Sequence, residues 1–212
     1  MKTTILLVWA LLCLVTATAT AQVNTEKHLS FKGKDVLVLD IQIADSIRIH
    51  TWTKDEALVK ASVSINDNKD NDAYLISYNE NGSSLKVKAG FKKDYFKGKC
   101  NCCNEANISW DIWMPDNKYF TIETINANII ITGNTDRMTV KTISGYIDLA
   151  EPAGINADID FSTISGTIYT NHSFLSAKGN TGIPARIHDR LNKGGSLIKL
   201  ETISGDIFFR KE

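Results

Sequence analysis

Apolar and polar positions alternate with a period of two along most of this chain, and no stretch sustains the period of a helix. "VLVLDIQI" (Val36–Ile43), "IRIHTW" (Ile47–Trp52) and "ALVKASVSI" (Ala57–Ile65) read as strands. So do "AYLISY" (Ala73–Tyr78) and "LKVKA" (Leu85–Ala89), and the Asn81-Gly82 pair between them signals a hairpin. In "ISWDIWMP", Ile108, Trp110, Ile112 and Met114 fall on one face. Two stretches break the pattern. Residues 22–35 form a polar lead-in, and residues 90–105, "GFKKDYFKGKCNCCNE", read as an excursion from the sheet.

From Phe120 the alternation becomes a repeat. Phe120-x-Ile122-x-Thr124, Met138-x-Val140-x-Thr142, Ile159-x-Phe161-x-Thr163 and Ile198-x-Leu200-x-Thr202 fit one template. Each copy continues with Ile, a small pair (Ser-Gly three times, Asn-Ala once), any residue, and Ile again at 129, 147, 168 or 207. The template describes a strand with one buried face, a corner and a second strand. Gly145, Gly166 and Gly205 allow unusual backbone angles or close approach at the corner. The first copy has Ala127 there, and Asn126 and Asn128, which tolerate left-handed geometry, are expected to stand in for glycine. The threonines are 18, 21 and 39 residues apart, so a degenerate coil is expected between Ser173 and Lys193. A period near twenty predicts an all-β solenoid, parallel β-helix-like, in which each coil buries its face only against its neighbours. The alternative is an antiparallel β-sandwich with similar turns.

The repeats carry a resemblance. "DFSTISGTIYT" (Asp160–Thr170) and "LNKGGSLIKLETISGDIFFRK" (Leu191–Lys211) resemble the putative-adhesin domains of bacterial envelope proteins, with their repeated T-I-S-G-x-I corners. The likeness runs from about Val36 to Lys211, with specific motifs only from Glu123 onward. It implies export, an all-β coil and an envelope location, and it brings no catalytic residues. The "CNCC" of Cys100–Cys103 departs from that pattern.

The N-terminus changes the picture of address. Lys2, the apolar run Ile5–Val15 and "ATA" at 19–21 read as a signal peptide cleaved after Ala21. That run is too short to span a bilayer, and no later segment could do so. Leu12 stands where a lipid-attachment signal on Cys13 would want a small residue. The expected organisation is a leader over 1–21, the lead-in over 22–35 and one domain over 36–212, with regular repeats over 120–210. Export places the protein in the periplasm or at the bacterial cell surface. The chain has 24 basic and 24 acidic residues, and losing Lys2 leaves 23 against 24. This balance argues against a nucleic-acid partner.

Candidate chemistry is sparse. Cys100, Cys102 and Cys103 lie in a disulfide-permissive compartment. One disulfide plus an odd thiol, an intermolecular bridge, a copper(I)-type thiolate site and free thiols all stay open. Two separated ligand pairs, as zinc usually requires, are absent. "NDNKDND" (Asn66–Asp72) alternates like a calcium loop, but it has Asn71 where the sixth position needs Gly and Ser77 where the twelfth needs Glu. It is expected to be a solvated hairpin loop, and no cofactor or metal site is predicted. A β-helix hydrolase would need carboxylates grouped at equivalent positions. Asp148, Asp158 and Asp160 do not occupy such positions, and His28, His50, His172 and His188 are scattered. Trp113, Tyr95 and Phe96 are the aromatic candidates for a binding surface, the last two amid Lys92, Lys93, Lys97 and Lys99. Alternatively the excursion caps one end of the coil. The expectation is a non-enzymatic adhesin-like interaction domain that binds a polysaccharide or an envelope protein. The alternatives are a polysaccharide-active enzyme and a periplasmic envelope-stress partner protein.

Overall fold

The computed structural model describes residues 22–97, 105–133, 137–152, 154–172 and 184–211. The leader over 1–21 and the three mature cysteines lie outside the described residues, so both readings stand as sequence expectations.

The chain is all-β. In order, the strands are β1 (Val23–Ser30), β2 (Val36–Ile41), β3 (Ile43–Trp52), β4 (Glu56–Ile65), β5 (Tyr74–Asn81), β6 (Ser84–Phe91), β7 (Ala106–Pro115) and β8 (Tyr119–Thr132). They continue as β9 (Met138–Ser144), β10 (Ile147–Glu151), β11 (Ala157–Thr163), β12 (Ile168–Thr170), β13 (Ala185–Leu191), β14 (Ser196–Ser204) and β15 (Ile207–Lys211). One short 3-10 turn, Asn71–Ala73, precedes β5. The strands join in one large mixed sheet that does not close into a barrel.

The sheet folds over at the corners into two facing layers. The first runs β5-β6-β2-β8-β9-β14-β11-β13, and the second β1-β4-β7-β3-β8-β10-β15-β12. The first half of β8 belongs to one layer and its second half to the other. Among the described residues six strand–corner–strand units result, stacked in the same order in both layers: β6–β7, β2–β3, β8, β9–β10, β14–β15, β11–β12. All neighbours among these units pair in parallel. Antiparallel strands flank them: β5 and β13 on the first layer, β4 and then β1 on the second.

Alternation explains the core. Leu37, Leu39, Phe120, Ile122, Val140, Phe161 and Leu200 from the first layer, and Ile47, Ile49, Ile129, Ile131, Ile147 and Phe209 from the second, are fully buried. They meet between the layers, where the Phe161 and Phe209 rings are edge to face with centroids 5.2 Å apart. Burying one such side chain contributes roughly 1.5–3 kcal/mol.

Three sequence expectations change here. Residues 22–35 are not a loose lead-in throughout, because β1 pairs with β4 over its full length. Only Leu29 in β1 is buried, so backbone pairing holds this strand and its side chains carry no periodic signal. Residues 173–183, the first part of the expected degenerate coil, lie outside the described residues. The remainder of the 39-residue gap holds β13, which pairs antiparallel with β11 and does not continue the parallel stack. Its Arg186, His188 and Arg190 point outward, and such charges suit a strand that is at the edge of the sheet among the described residues. Finally, the units do not stack in chain order: β14–β15 inserts between β9–β10 and β11–β12, and β6–β7 lies outside β2–β3. Coils that succeed one another along the chain are therefore not what the order shows. The layers face each other as in a sandwich, yet the units pair in parallel, whereas the sandwich alternative called for antiparallel strands.

Candidate binding surface

The repeat corners set the surface. Thr124, Thr142, Thr202 and Thr163 stand in register on neighbouring strands and point inward, all buried. Thr142 Oγ1 donates to the carbonyl of Ser144 at 2.6 Å and Thr163 Oγ1 to that of Gly205 at 2.9 Å, which ties each strand end to a corner. The glycines pack on one another. A Cβ at Gly145 would collide with the carbonyl of Ala127, one at Gly205 with that of Gly145, and one at Gly166 with that of Gly205. Of the three, only Gly145 has a positive φ, +100°. Close approach, more than backbone freedom, thus accounts for the motif. Ala127 is tolerated because its unit stacks on β2–β3, whose register shifts by a bulge between Ile43 and Ser46. Asn126 and Asn128 do not supply left-handed geometry there.

Because threonine points inward, the isoleucine after it points outward. Ile125, Ile143, Ile203 and Ile164 follow one another along the rim and are 49, 46, 46 and 54 % exposed. Backbone bonds hold the ends of this ladder: Ile125 N–H donates to Gln42 O at 2.9 Å and Ser165 N–H to Ile203 O at 2.8 Å. Two residues back, a charged row crosses the same strands: Asp40, Glu123, Lys141, Glu201, Ser162, Arg186. Lys141 and Lys199 reach Glu201 at 3.2 and 2.8 Å. Partial burial raises the pKa of Glu201, but hydrogen bonds from Lys199 and Lys141 outweigh it and hold the carboxyl below its ordinary value. Isoleucines, threonines and charges together line a groove of about 510 Å³ that ends at Pro184.

The aromatic candidates do not form one surface. Trp113 stacks on His50 with centroids 5.1 Å apart, and Lys60 Nζ lies 5.7 Å from its ring centre. Tyr95 belongs near the opposite end of β7: its hydroxyl donates to Asp70 at 2.9 Å, and Asn66 N–H donates to Glu105 O at 2.8 Å beside Ala106. Seven residues of strand separate Ala106 from Trp113, on the order of 23 Å. Tyr95 stacks on Phe91 at 5.2 Å, and Phe96, exposed, meets both rings edge-on. That cluster packs on Phe91 at the end of β6, in the outermost unit. In the "NDNKDND" loop, Asn66 Nδ2 and the Tyr95 hydroxyl both donate to Asp70. The loop is not the expected hairpin, because it carries the chain from β4 in the second layer to β5 in the first and these two strands do not pair.

The carboxylates do not converge either. Asp148 pairs with Arg210 on the second layer, whereas Asp158 and Asp160 lie on the first, with Arg190 at 3.3 Å and Lys199 at 3.7 Å. Among the described residues no group of three His, Cys, Asp or Glu could hold a metal ion. Sequence reasoning missed two features. The isoleucine rim was readable from strand parity. The cluster of Tyr169 stacked on Phe208 (5.1 Å, 9°) with Tyr146 edge-on (6.1 Å) was not, because it joins three units through their stacking order.

This fold has a counterpart among solved structures. A "putative cell adhesion protein" from Clostridium sporogenes ATCC 15579 aligns with 91 % of this chain and 100 % of its own at a TM-score of 0.57 and 12 % identity. The two share a fold. A "putative adhesin" from Bacteroides fragilis NCTC 9343 (9 % identity, 91 % of this chain, 99 % of that one) and a "putative lipid binding protein" from Parabacteroides distasonis ATCC 8503 (10 %, 88 %, 96 %) align at a TM-score of 0.26. Scores that low carry no weight for the fold. No protein-family model matches the sequence, and no curated protein does. No helix among the described residues is long and apolar enough to cross a membrane.

Proposed function

We propose that this chain is an exported, non-enzymatic interaction domain of adhesin type, freed after Ala21 and working in the bacterial periplasm or at the cell surface. Its contact surface is the isoleucine rim with the adjoining charged row, and its partner is an envelope protein or a polysaccharide. The observation that carries this reading is the four-fold exposure of isoleucine at one template position. Contiguous exposed apolar patches are uncommon on monomers and mark interaction sites. The structural likeness to the Clostridium sporogenes protein supports the adhesin type. In the same reading the parallel units act as solenoid-type coils, each presenting one rung of the rim. A polysaccharide-active enzyme has less support, since Asp148 is separated from Asp158 and Asp160 by a layer.

A glycan-binding reading has its own support in Tyr169, Phe208 and Tyr146, where an exposed ring at the sheet edge could stack on a sugar. The test incubates the purified protein with immobilised polysaccharides, peptidoglycan and envelope proteins, and scores both retention and release of reducing ends. The rim reading predicts retention without release, lost in Ile143→Lys/Ile203→Lys and kept in Tyr169→Ala. Retention lost in Tyr169→Ala alone would move the site to the second layer. Release of reducing ends would overturn the non-enzymatic assignment.

A further inference from the structure

The rim has a symmetry that its sequence order conceals. Read across the strands, the ladder runs Gln42, Ile125, Ile143, Ile203, Ile164, Pro184, on β2, β8, β9, β14, the end of β11 and the residue before β13. The charged row on the same six columns runs Asp40, Glu123, Lys141, Glu201, Ser162, Arg186. A twofold axis laid along the strand direction, between β9 and β14, reverses the column order and keeps each row facing itself. It places Ile143 against Ile203 of a second copy, and Ile125 against Ile164. It also places Lys141 against Glu201, Asp40 against Arg186, and Glu123 against the neutral Ser162. The next row outward behaves alike: Thr139 meets Lys199 and Thr121 meets Asp160. None of these rows brings like charges together. An axis running across the strands at the charged row would instead set Lys141, Glu123 and Glu201 each against itself.

We infer that the rim docks a second copy of this chain, isologously, about that axis. The inference rests on the reading of the rim as a contact surface and names its partner. Charge complementarity is the argument for this occupant: a self-complementary pattern is what an isologous interface requires. It exists only because β14 inserts between β9 and β11; stacking in chain order would put Glu201 at the end of the row and set Lys141 against Ser162. Six columns span about 24 Å and two rows about 13 Å, a footprint on the order of 300 Å² per copy. Doubled over the two copies this is about 600 Å², below the size of standard specific interfaces, so the association is weak and transient in solution and gains from many copies held on one surface. Twisted faces packed this way cross at about 30°, so the central Lys141–Glu201 contacts hold register better than the terminal Asp40–Arg186 contacts.

The test is sedimentation equilibrium of the purified protein from about 5 to about 500 μM, with charge variants. The wild type is expected to pass from monomer to dimer across this range, and Ile143→Asp to stay monomeric. Lys141→Glu alone and Glu201→Lys alone each place two like-charge contacts at the centre and weaken the dimer at least about tenfold. Mixed one to one, they associate again, because the carboxylate introduced at position 141 of one copy then faces the ammonium introduced at position 201 of the other. Within each chain the 141–201 pair remains repulsive, so this rescue reports a contact between chains only. A wild type that dimerises while the mixture stays monomeric overturns the twofold arrangement. A wild type that is monomeric throughout overturns the second copy as partner. In that case the wider reading survives if retention on envelope material still depends on Ile143 and Ile203, and fails with it if retention does not.

Discussion

The two halves of the molecule are built from the same unit and look unlike in sequence. In the C-terminal half each corner packs on a corner of its own kind, glycine against the neighbour's carbonyl. In the N-terminal half the β2–β3 corner is "QIAD" (Gln42–Asp45) with a bulge, and β6 and β7 are joined by the long segment 92–105, which lacks the Ser-Gly motif. Both halves place buried side chains between the same two layers. A motif repeats where neighbours on both sides impose the same contact, and it decays toward an end, where one neighbour is bulged or missing.

Removing core contacts should have the largest effect and the least regional difference. Phe161→Ala in the repeat half and Trp110→Ala in the leading half both empty fully buried sites, at about 3–5 kcal/mol each. Chemical denaturation should show a single transition shifted alike by both. Two separate transitions would divide the halves. Next come the corners. Gly205→Ala sets a methyl against the Gly145 carbonyl between two fixed backbones and should lose about 3 kcal/mol. At Gly90 the added methyl meets only the flexible Gln42 side chain, so Gly90→Ala should lose less than about 1 kcal/mol. Equal losses would mean that the glycine stack is not what sets the repeat.

Smaller still is the Arg48–Asp111 pair on the outer face of the second layer, with contacts of 2.6 and 3.0 Å. The hydrogen bonds from Arg48 hold the Asp111 carboxyl below its ordinary value despite partial burial. Its folded-state pKa is depressed, so its contribution is fully present above the ordinary carboxylate range and disappears as pH falls through the folded value. Asp111→Asn should reduce stability by about 1 kcal/mol at neutral pH, since the pair is partly solvated, and by nothing measurable once both states are protonated. A thermal melt series in acid reads this directly. A comparably small effect belongs to Ala127→Gly, about 1–2 kcal/mol, from backbone entropy and the loss of one buried methyl group. A stabilisation there would mean that Ala127 is strained against the bulge.

The sequence made the repeat strands, the inward threonines and the tight corners legible, because each is a local periodicity. Strand parity, followed one residue further, also exposes Ile125, Ile143, Ile164 and Ile203. The units formed by β2–β3 and β6–β7 were hidden, since their corners lack Ser-Gly. β1 and β13 were hidden because edge strands held by backbone pairing bury few side chains. The stacking order could not be read at all: copies of one template can pair with any other copy. Trp113 and the Tyr95–Phe96 pair looked alike as exposed aromatics, and only the register of β7 separates them.

Everything argued for the rim depends on Glu201 standing between Lys141 and Ser162. The direct measurement is disulfide formation between introduced cysteines, in a chain with Cys100, Cys102 and Cys103 replaced by serine. Thr139 and Lys199 are register partners on adjacent strands, within the Cα separation that a disulfide tolerates. Thr139 and Asp160 are two strands apart, about 10 Å, and could bond only if the units stacked in chain order. The account predicts that Thr139→Cys/Lys199→Cys oxidises to an intramolecular disulfide and that Thr139→Cys/Asp160→Cys does not. The reverse result would contradict the inserted repeat, and with it the order of the isoleucine rim.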